Sequence, residues 1–151
     1  MEIEKVPKHV GIILDGNRRF SKRLMLKPWM GHEWGEKKVE KLFEWCKELG
    51  VKELTLYAFS IQNFDRPKDE FNYLMNLFLD SFNRIKDDPK VNDMRINFIG
   101  RINMFPEKVR NSMIDLMNQT KNNSPYIVNF AMAYGGQEEV IDAVKKISEQ
   151  V

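Results

Sequence analysis

The sequence of 151 residues has little cysteine, little net charge and no long apolar run. Its single cysteine, Cys46, excludes an intrachain disulfide and a metal site built from cysteines, and it fits a reducing compartment. No apolar run approaches the roughly 20 residues that a membrane span needs, and the N-terminus lacks the basic and then apolar regions of a signal peptide. A net charge of +2 gives no argument for nucleic acid as a ligand. We therefore expect a cytoplasmic protein.

Apolar and aromatic residues, by contrast, are plentiful. Hydrophobic residues make up 42% of the chain, and ten Phe and three Trp supply enough apolar area for a core. The length predicts a single domain over residues 1–151. No repeat, low-complexity tract or linker interrupts the sequence, so the composition favours one folded globular unit.

Strand and helix patterns alternate along this domain. Short apolar strands are predicted at 9–14, 54–59, 94–99 and 126–133, and amphipathic helices at 33–49, 67–86, 106–118 and after residue 136. This alternation predicts an α/β fold with a mostly parallel sheet and helices on both faces. In such sheets ligands bind outside the carboxyl ends of the strands. Four polar segments follow predicted strands and are expected at that edge: Asp15, residues 60–66, Arg101 and residues 134–136.

The segment Val10-Gly-Ile-Ile-Leu-Asp-Gly-Asn-Arg-Arg19 carries the clearest chemical signal. A buried strand ends in a lone carboxylate, which can hold a divalent metal, and a glycine lets the backbone approach a ligand closely. Two arginines follow, and guanidinium groups clamp phosphate oxygens through forked hydrogen bonds. The pattern predicts a site for a diphosphate with Mg²⁺, although Asp-Gly-Asn alone is also an ordinary turn.

Basic residues are concentrated around this motif. Residues 15–30 contain five cations against the single acid Asp15, namely Arg18, Arg19, Lys22, Arg23 and Lys27. An anion pocket is favoured for the two arginines, whereas the lysines also fit a solvated helix face. His32 at a helix start and the polar loop 60–66 are each as consistent with structural roles as with phosphate or substrate binding. The apolar stripe of the 67–86 helix, taken by itself, is more typical of core than of a hydrocarbon tunnel.

Five sequence blocks together resemble the cis-prenyltransferases, whose best known members make undecaprenyl diphosphate. The blocks run in order and with family-like spacing: His9-Val-Gly-Ile-Ile-Leu-Asp-Gly-Asn-Arg-Arg-Phe20, Gly31-His32, Leu54-Thr-Leu-Tyr-Ala-Phe-Ser60, Asn63-Phe-Asp-Arg-Pro67 and Asn129-Phe-Ala-Met-Ala-Tyr-Gly-Gly136. The resemblance implies Mg²⁺-dependent transfer of prenyl groups. Isopentenyl diphosphate would condense with an allylic diphosphate to give a polyprenyl diphosphate.

The resemblance also implies roles for individual residues. Asp15 matches the family's essential carboxylate, which handles Mg²⁺ and the diphosphate, and Asn63 falls where a proton-transfer role has been proposed. An allylic diphosphate such as farnesyl diphosphate would lie against Gly16, Asn17, Arg18, Arg19 and His32. The remaining substrate-binding positions implied by the match are Phe20, Ser60, Ile61, Gln62, Phe64 and Arg66.

In the light of the resemblance, the helix stripe from Phe71 to Phe82 is interpreted as tunnel wall, with Ala58 as a small residue beside the tunnel. Two positions depart from the family pattern, because Pro28 and Gln137 stand where many members carry arginine. Members also continue past the last helix with an Arg-Thr-x-Gly-Glu-x-Arg-x-Ser block for isopentenyl diphosphate, a further metal-binding Glu and much of the dimer interface. We therefore expect the chain to correspond to the N-terminal portion of such an enzyme.

The expected function is cis-prenyl transfer that needs the remaining segment or a partner chain that supplies it, within a homodimer or hetero-assembly. The product would be delivered to the membrane, and an association with the membrane surface is left open. The alternative is a non-catalytic subunit that binds a prenyl diphosphate or a partner chain. A haloacid-dehalogenase-like phosphatase is discounted because position 13 is Ile rather than Asp, and a trans-type prenyltransferase because Asp87-Asp88 is not followed by a third, correctly spaced Asp.

Overall fold

The computed structural model describes residues 5–150 and contains four strands and five α-helices in that range. The strands are β1 (His9–Ile13), β2 (Glu53–Ser60), β3 (Met94–Ile99) and β4 (Tyr126–Tyr134). The helices are α1 (Asn17–Arg23), α2 (Gly31–Leu49), α3 (Lys68–Asp87), α4 (Glu107–Thr120) and α5 (Gly136–Ser148). Short 3-10 turns cover Pro28–Met30, Ile61–Asp65, Pro89–Val91 and Ile102–Met104.

All strand pairs are parallel, and the order across the sheet is β1-β2-β4-β3. The predicted α/β fold with a parallel sheet is therefore confirmed. Because the strands are parallel, their carboxyl ends share one edge of the sheet, and Asp15 and Ser60 lie at that edge after β1 and at the end of β2. The register of β2 on β4 shifts near its end, between Tyr57 and Ser60, which marks a local bulge beside this edge.

The main core lies between the sheet and helices α2, α3 and α4. Alternate residues of the strands, such as Leu56 and Phe130, point into it, and they meet helix residues such as Met113 and Leu116. A chain of aromatic contacts crosses this core with ring centroids 4.8 to 5.9 Å apart, and it runs through Phe59, Phe78, Phe82, Phe98 and Phe130. Cys46 packs against this core, where burial raises the pKa of its thiol.

The opposite side of the strands is polar along much of its width. The His9 Nε2 atom lies 2.8 Å from the Thr55 hydroxyl, and the Asn129 amide donates to Thr55 at 3.2 Å. Asn97 donates to the Asn129 side chain at 2.9 Å. These cross-strand pairs satisfy polar groups on a face that is only partly covered within residues 5–150.

Helix α1 is the element that the sequence patterns did not predict. Gly16 precedes it with φ = +95°, a backbone conformation that glycine adopts without strain. The helix has seven residues and only Ser21 is buried, so it carries no apolar stripe that a periodicity analysis could detect. Among the described residues, no helix combines the length and the hydropathy that crossing a bilayer requires.

The depth of the core predicts the effect of a truncation on α4. Met113 is fully buried, and its neighbour Ile114 is 38% exposed. We expect Met113→Ala to lower the free energy of unfolding by about 2–5 kcal/mol, because it removes buried methylenes and leaves a cavity. Ile114→Ala is the matched control on the same helix and should cost far less. Equal shifts of the two midpoints in urea denaturation would contradict the assigned packing.

Candidate functional site

Two adjoining cavities open at the carboxyl edge of the sheet. The first, which we call the anion mouth, has a volume of about 570 Å³ and is lined by Leu14, Asp15, Gly16, Asn17, Arg18, Arg19, Lys22, His32 and Arg66. The second, the apolar cavity, has a volume of about 400 Å³ and extends between α2, α3 and the sheet. The two cavities share lining residues, among them Asp15, His32 and Arg66, so the cationic anion mouth opens directly into the apolar cavity.

Asp15 lies in the anion mouth with its carboxylate largely in solvent. One carboxylate oxygen accepts a hydrogen bond from the Gly16 N–H at 2.5 Å, and the other accepts from the Arg19 guanidinium at 2.8 Å. The side chains of Asp15 and Arg19 are 74% and 76% exposed. An exposed ion pair of this kind contributes little to stability, so both groups are available to a ligand at small cost.

Asn17 is held by close packing between α1 and α2. A Cβ at Gly31 would overlap the Asn17 backbone oxygen, and a Cβ at Gly35 would lie 2.8 Å from the Asn17 side-chain oxygen. The Asn17 amide nitrogen is also 3.3 Å from His32 Nδ1. The i, i+4 pair of glycines thus fixes the approach of the two helices, and the sequence analysis did not assign a role to Gly35.

A buried carboxylate underlies the cations of the mouth. Glu70, in the first turn of α3, has a side chain that is only 2% exposed, and its Oε1 atom accepts a hydrogen bond from the Arg66 guanidinium. The Nε atom of Arg18 and the Nε2 atom of His32 each lie 3.7 Å from the same oxygen. One anion therefore holds three predicted ligand-binding side chains together. The sequence analysis missed Glu70 because an acid in a first helical turn is already explained by the helix dipole.

The surroundings of His32 favour its neutral form. Burial lowers the pKa of this imidazole below its usual value, and the positive charge of Arg66 lowers it further, whereas Glu70 opposes both effects. The Arg66 guanidinium lies 3.4 Å from His32 Nε2. A neutral imidazole beside an arginine is available to gain a proton when an anion arrives.

Ser60 and Asn63 fix each other at the start of the Ile61–Asp65 turn. The Asn63 side-chain oxygen accepts from the Ser60 backbone N–H at 3.0 Å, and the Ser60 side chain accepts from the Asn63 backbone in return. This reciprocal capping box holds both side chains at the wall of the apolar cavity. Both residues are therefore preorganised beside the place where Asp15 and Arg66 meet the cavity.

The apolar cavity is lined by part of the predicted stripe of α3 and by one residue outside it. Leu74, Phe78 and Phe82 line it, but so does Leu77, which lies off the stripe, and Ala58 lines it from β2. Phe71 instead packs on Phe64, with ring centroids 5.7 Å apart. The stripe residues Leu74, Phe78 and Phe82 thus belong to the cavity wall, whereas Phe71 does not line it.

Several predicted site residues lie outside both cavity linings. Phe64 sits in an aromatic cluster with Phe59 and Phe105 at centroid distances of 5.1 and 5.2 Å. Phe20 packs edge-on against Trp34 at the surface. Ile61 and Gln62 occupy the 3-10 turn without lining either cavity. Their substrate-binding roles stay predictions.

Arg101, which was expected at the same sheet edge, is engaged elsewhere. Its guanidinium donates to both carboxylate oxygens of Asp142 on α5 at 2.8 to 3.0 Å. The Asp142 carboxylate thus anchors α5 to the end of β3, and Arg101 is not among the residues that line the two cavities.

The donor set of the mouth fits a metal only together with a diphosphate. Within residues 5–150, no three His, Cys, Asp or Glu side chains form a cluster that could hold a metal ion by themselves. Mg²⁺ commonly binds through one or two carboxylates plus substrate phosphates and keeps several waters. The exposed carboxylate of Asp15 matches that pattern, with the remaining oxygens coming from a ligand and from water.

Comparisons with known proteins give a consistent result. The family model described as putative undecaprenyl diphosphate synthase matches residues 13–151. The tritrans,polycis-undecaprenyl-diphosphate synthase (geranylgeranyl-diphosphate specific) of Thermococcus kodakarensis is 46% identical over 148 residues, which are 97% of this chain and 56% of that protein. An isoprenyl transferase of Thermus thermophilus is 42% identical over 94% of this chain and 55% of its own length. The chain thus spans a little over half the length of these curated relatives.

Solved structures agree with these sequence relatives. Lavandulyl diphosphate synthase from Lavandula x intermedia, in complex with dimethylallyl diphosphate, superposes with a TM-score of 0.89 at 30% identity, covering 95% of this chain and 62% of that chain. A probable undecaprenyl diphosphate synthase from Campylobacter jejuni gives a TM-score of 0.77 at 31% identity, with the same coverage of 95% and 62%.

The buried carboxylate leads to a prediction about stability. Glu70→Gln removes the negative charge that Arg66, Arg18 and His32 share, so we expect the free energy of unfolding to fall by roughly 1–3 kcal/mol. Saturating pyrophosphate should reduce the difference in unfolding free energy between the variant and the unchanged chain, because the bound anion supplies the missing negative charge. Urea denaturation with and without pyrophosphate tests both parts. Glu107→Gln is the control, because Glu107 is an exposed acid in the first turn of α4. If pyrophosphate leaves the difference in unfolding free energy between Glu70→Gln and the unchanged chain as it was, the proposed sharing of the Glu70 charge is wrong.

The imidazole of His32 should respond to the same anion. We expect its pKa, lowered in the free chain, to rise when pyrophosphate binds, because the ligand's negative charge offsets that of Arg66 and Arg18. Binding would then take up a proton at pH values between the two pKa values, and affinity would increase as the pH falls through that range. Imidazole NMR resonances followed against pH measure this, with His9 as the internal reference at the opposite end of β1. A lower pKa in the complex would disprove the placement.

Proposed function

The chain belongs to the undecaprenyl diphosphate synthase family of prenyltransferases, and we propose that it forms the allylic-diphosphate site for synthesis of a cis-polyprenyl diphosphate. The observation that carries the proposal is the direct junction of the cationic anion mouth with the apolar cavity. An allylic diphosphate has the same two parts, a charged head and a hydrocarbon tail. Because the relatives are longer than this chain, turnover is proposed for an assembly that includes the rest of such an enzyme.

The anion mouth would bind and orient the diphosphate. Arg18 and Arg19 present guanidinium groups that match phosphate oxygens, and both are at least half exposed. Arg66 and His32 lie deeper, at the junction with the apolar cavity. Asp15 would hold Mg²⁺ together with the diphosphate, and the bound ion would neutralise charge on the leaving diphosphate. Arginines already aimed at that charge would stabilise its departure without reorganising.

The chemical step would take place at the junction of the two cavities. The bond between the allylic carbon and the diphosphate oxygen breaks, the double bond of isopentenyl diphosphate forms the new carbon–carbon bond, and one proton passes to the departing diphosphate so that a double bond is restored. Ser60 and Asn63, which the capping box holds at the wall of the apolar cavity, would orient the second substrate, and Asn63 is the residue we propose for guiding the proton by hydrogen bonding. The apolar cavity would exclude water from the growing chain.

The working assembly is proposed to involve a second polypeptide surface. Helix α5 exposes an apolar row whose side chains are 51–64% accessible, namely Val140, Ile141, Val144 and Ile147. Exposed apolar rows of this kind are typical of interaction surfaces. This supports the expectation of a homodimer or hetero-assembly. The cytoplasmic location and the delivery of the product to a membrane are likewise proposals.

Metal-dependent binding tests the proposed site. We expect calorimetric titration of the chain with farnesyl and geranylgeranyl diphosphates to show tighter binding with Mg²⁺ than without it. Asp15→Asn should remove most of this gain and lower affinity in Mg²⁺ by roughly tenfold or more, the order of loss seen when a metal site is damaged. Asp115→Asn changes an exposed carboxylate that is paired with Lys86 on the other side of α3, and it should keep the Mg²⁺ effect.

Turnover distinguishes the enzyme from the binding subunit. Labelled isopentenyl diphosphate is supplied with the allylic diphosphate and Mg²⁺ across a range of protein concentrations. Elongated product supports catalysis, whereas binding without elongation at any concentration leaves a binding subunit. Absence of binding to every allylic diphosphate would overturn the proposed function.

A further inference from the structure

Three consecutive apolar side chains are exposed where helix α1 ends. Leu24, Met25 and Leu26, which we call the loop tip, are 46%, 95% and 37% exposed. Single exposed apolar side chains are common on protein surfaces, but three in a row at a turn form a continuous apolar segment. Because water is an unfavourable environment for such a segment, its exposure points to a surface that covers it.

A helix-ending turn holds the backbone of the loop tip in one conformation. The Leu26 N–H donates to the Ser21 carbonyl oxygen at 3.0 Å, and the Met25 N–H donates to the Lys22 carbonyl oxygen at 3.2 Å. These two hydrogen bonds form a Schellman motif, in which the residue at the position of Met25 is left-handed and is usually glycine. Met25 occupies this position with φ = +54°.

The stability of the fold does not explain a methionine at this position. Glycine would remove the strain of a left-handed backbone, and it would also remove an apolar side chain that lies almost wholly in water. A surface that buries the Met25 side chain would offset both costs. The loop tip therefore has the properties of a segment that inserts into an apolar environment.

Positive charge surrounds the loop tip. Three exposed cations, Lys22, Arg23 and Lys27, adjoin it along the chain, and residues 16–32 contain no acid. We call these three cations the basic collar. An apolar tip within a basic collar is complementary to a bilayer with anionic lipids, in which charged headgroups lie above hydrocarbon. A protein interface of standard size, by contrast, involves roughly 20–30 residues a side, far more than this short loop provides.

Two tryptophans that follow the loop tip carry further cations on their rings. Lys27 Nζ lies 5.4 Å from the centre of the Trp29 ring, and Lys37 Nζ lies 5.9 Å from the centre of the Trp34 ring. Trp34 is half exposed and packs edge-on against Phe20, one helical turn before the loop tip. Tryptophan and lysine are typical of the headgroup level of a membrane, which accommodates both an apolar body and a charged end.

We propose that the loop tip and the basic collar dock this chain on the surface of a bilayer that contains anionic lipids, with the Met25 side chain inserted among the headgroups. The inference goes beyond the proposed function and does not depend on it, because the lipid would bind whether or not the anion mouth is occupied. Arg18 and Arg19, which line the mouth, lie near the start of the same seven-residue helix. Docking would therefore place the mouth roughly 10 Å from the loop tip, at 1.5 Å per residue.

Sedimentation with lipid vesicles tests the docking surface. The chain is mixed with vesicles of phosphatidylcholine alone or of phosphatidylcholine with about one third phosphatidylglycerol, and the bound fraction is followed against lipid concentration without Mg²⁺ or a diphosphate. We expect binding to the anionic vesicles that weakens as salt is raised, and little binding to the neutral vesicles. Equal binding to both kinds of vesicle, or binding to neither, would overturn the proposal.

Substitutions at Met25 separate insertion from attraction by charge alone. Met25→Gly and Met25→Asn remove the apolar side chain and suit a left-handed backbone, so both should keep or raise the urea midpoint. Each should lower the affinity for anionic vesicles roughly fivefold or more, because the apolar side chain is no longer transferred out of water. If both variants bind the vesicles as the unchanged chain does, nothing inserts at this loop and the proposal is wrong.

Substitutions in the basic collar test the contribution of charge. Arg23→Gln and Lys27→Gln change cations that do not line the anion mouth. Each should lower the affinity for anionic vesicles by roughly fivefold at low salt and make the remaining binding less sensitive to salt. Unchanged affinity in both variants would contradict the assigned orientation of the chain on the lipid.

Met104→Asn and Lys121→Gln are the matched controls. Met104 is an exposed methionine that follows β3, at the other side of the sheet from β1, and Lys121 is an exposed cation directly after α4. Both controls should keep the vesicle affinity of the unchanged chain. A loss as large as that of the loop variants would show that lipid binds elsewhere or through overall charge, and it would disprove the docking surface.

Two further outcomes separate this proposal from others. If the chain dimerises without lipid and Met25→Asn makes it monomeric, a second copy covers the loop tip and the lipid proposal is overturned. A chain that binds anionic vesicles through the loop tip but binds no allylic diphosphate would overturn the proposed function alone. A chain that binds allylic diphosphates but no vesicles would overturn only the docking proposal.

Discussion

The buried carboxylate of Glu70 is the constraint on which the site depends. Arg66 and Arg18 would repel each other if they were brought together without a counter-charge, and Glu70 supplies that charge from below, with His32 near the same oxygen. Its side chain is nearly inaccessible to solvent, so its interactions are weakly screened. The cations consequently stand in place before a ligand arrives, and a diphosphate meets a prearranged set of donors rather than a disordered group of long side chains.

Backbone geometry places the rest of the mouth around this anion. Parallel strands bring Asp15 after β1 and Ser60 at the end of β2 to the same edge. The close contact of Asn17 with Gly31 and Gly35 then sets α1 against the start of α2. Gly16, in its left-handed conformation, and the small residues Gly31 and Gly35 thus arrange the Asp15–Arg19 motif around a concave surface. None of them adds charge, but together they decide where the charges lie.

Local patterns predicted the fold and brought together the residues of the anion mouth, because those features depend on neighbours in sequence. The alternation of apolar strands and amphipathic helices was sufficient for the parallel sheet, and the Asp15–Arg19 motif was sufficient to predict that these residues share one cavity, whose role as an anion site stays a proposal. Glu70 was missed because its role comes from residues on α1 and α2, and a single helical position does not reveal such partners. Phe71 was included in the predicted tunnel wall but packs on Phe64, because a helical stripe shows which residues are apolar whereas the neighbouring elements decide which of them face a cavity. Arg101 was expected at the site edge, and the acid that engages it, Asp142, lies 41 residues away in sequence.

The two parts of the site contribute binding energy in different ways, and this division has consequences for selectivity. Charge interactions in the mouth depend on the diphosphate and are the same for every allylic ligand, so they recognise the class but not the individual chain. Burial of hydrocarbon adds about 0.8 kcal/mol for each methylene removed from water, so the apolar cavity makes affinity depend on length as long as there is space to fill. Once that space is filled, further carbons remain in water and add little to affinity. The mouth therefore determines whether a diphosphate binds, and the apolar cavity determines how strongly affinity depends on the hydrocarbon attached to it.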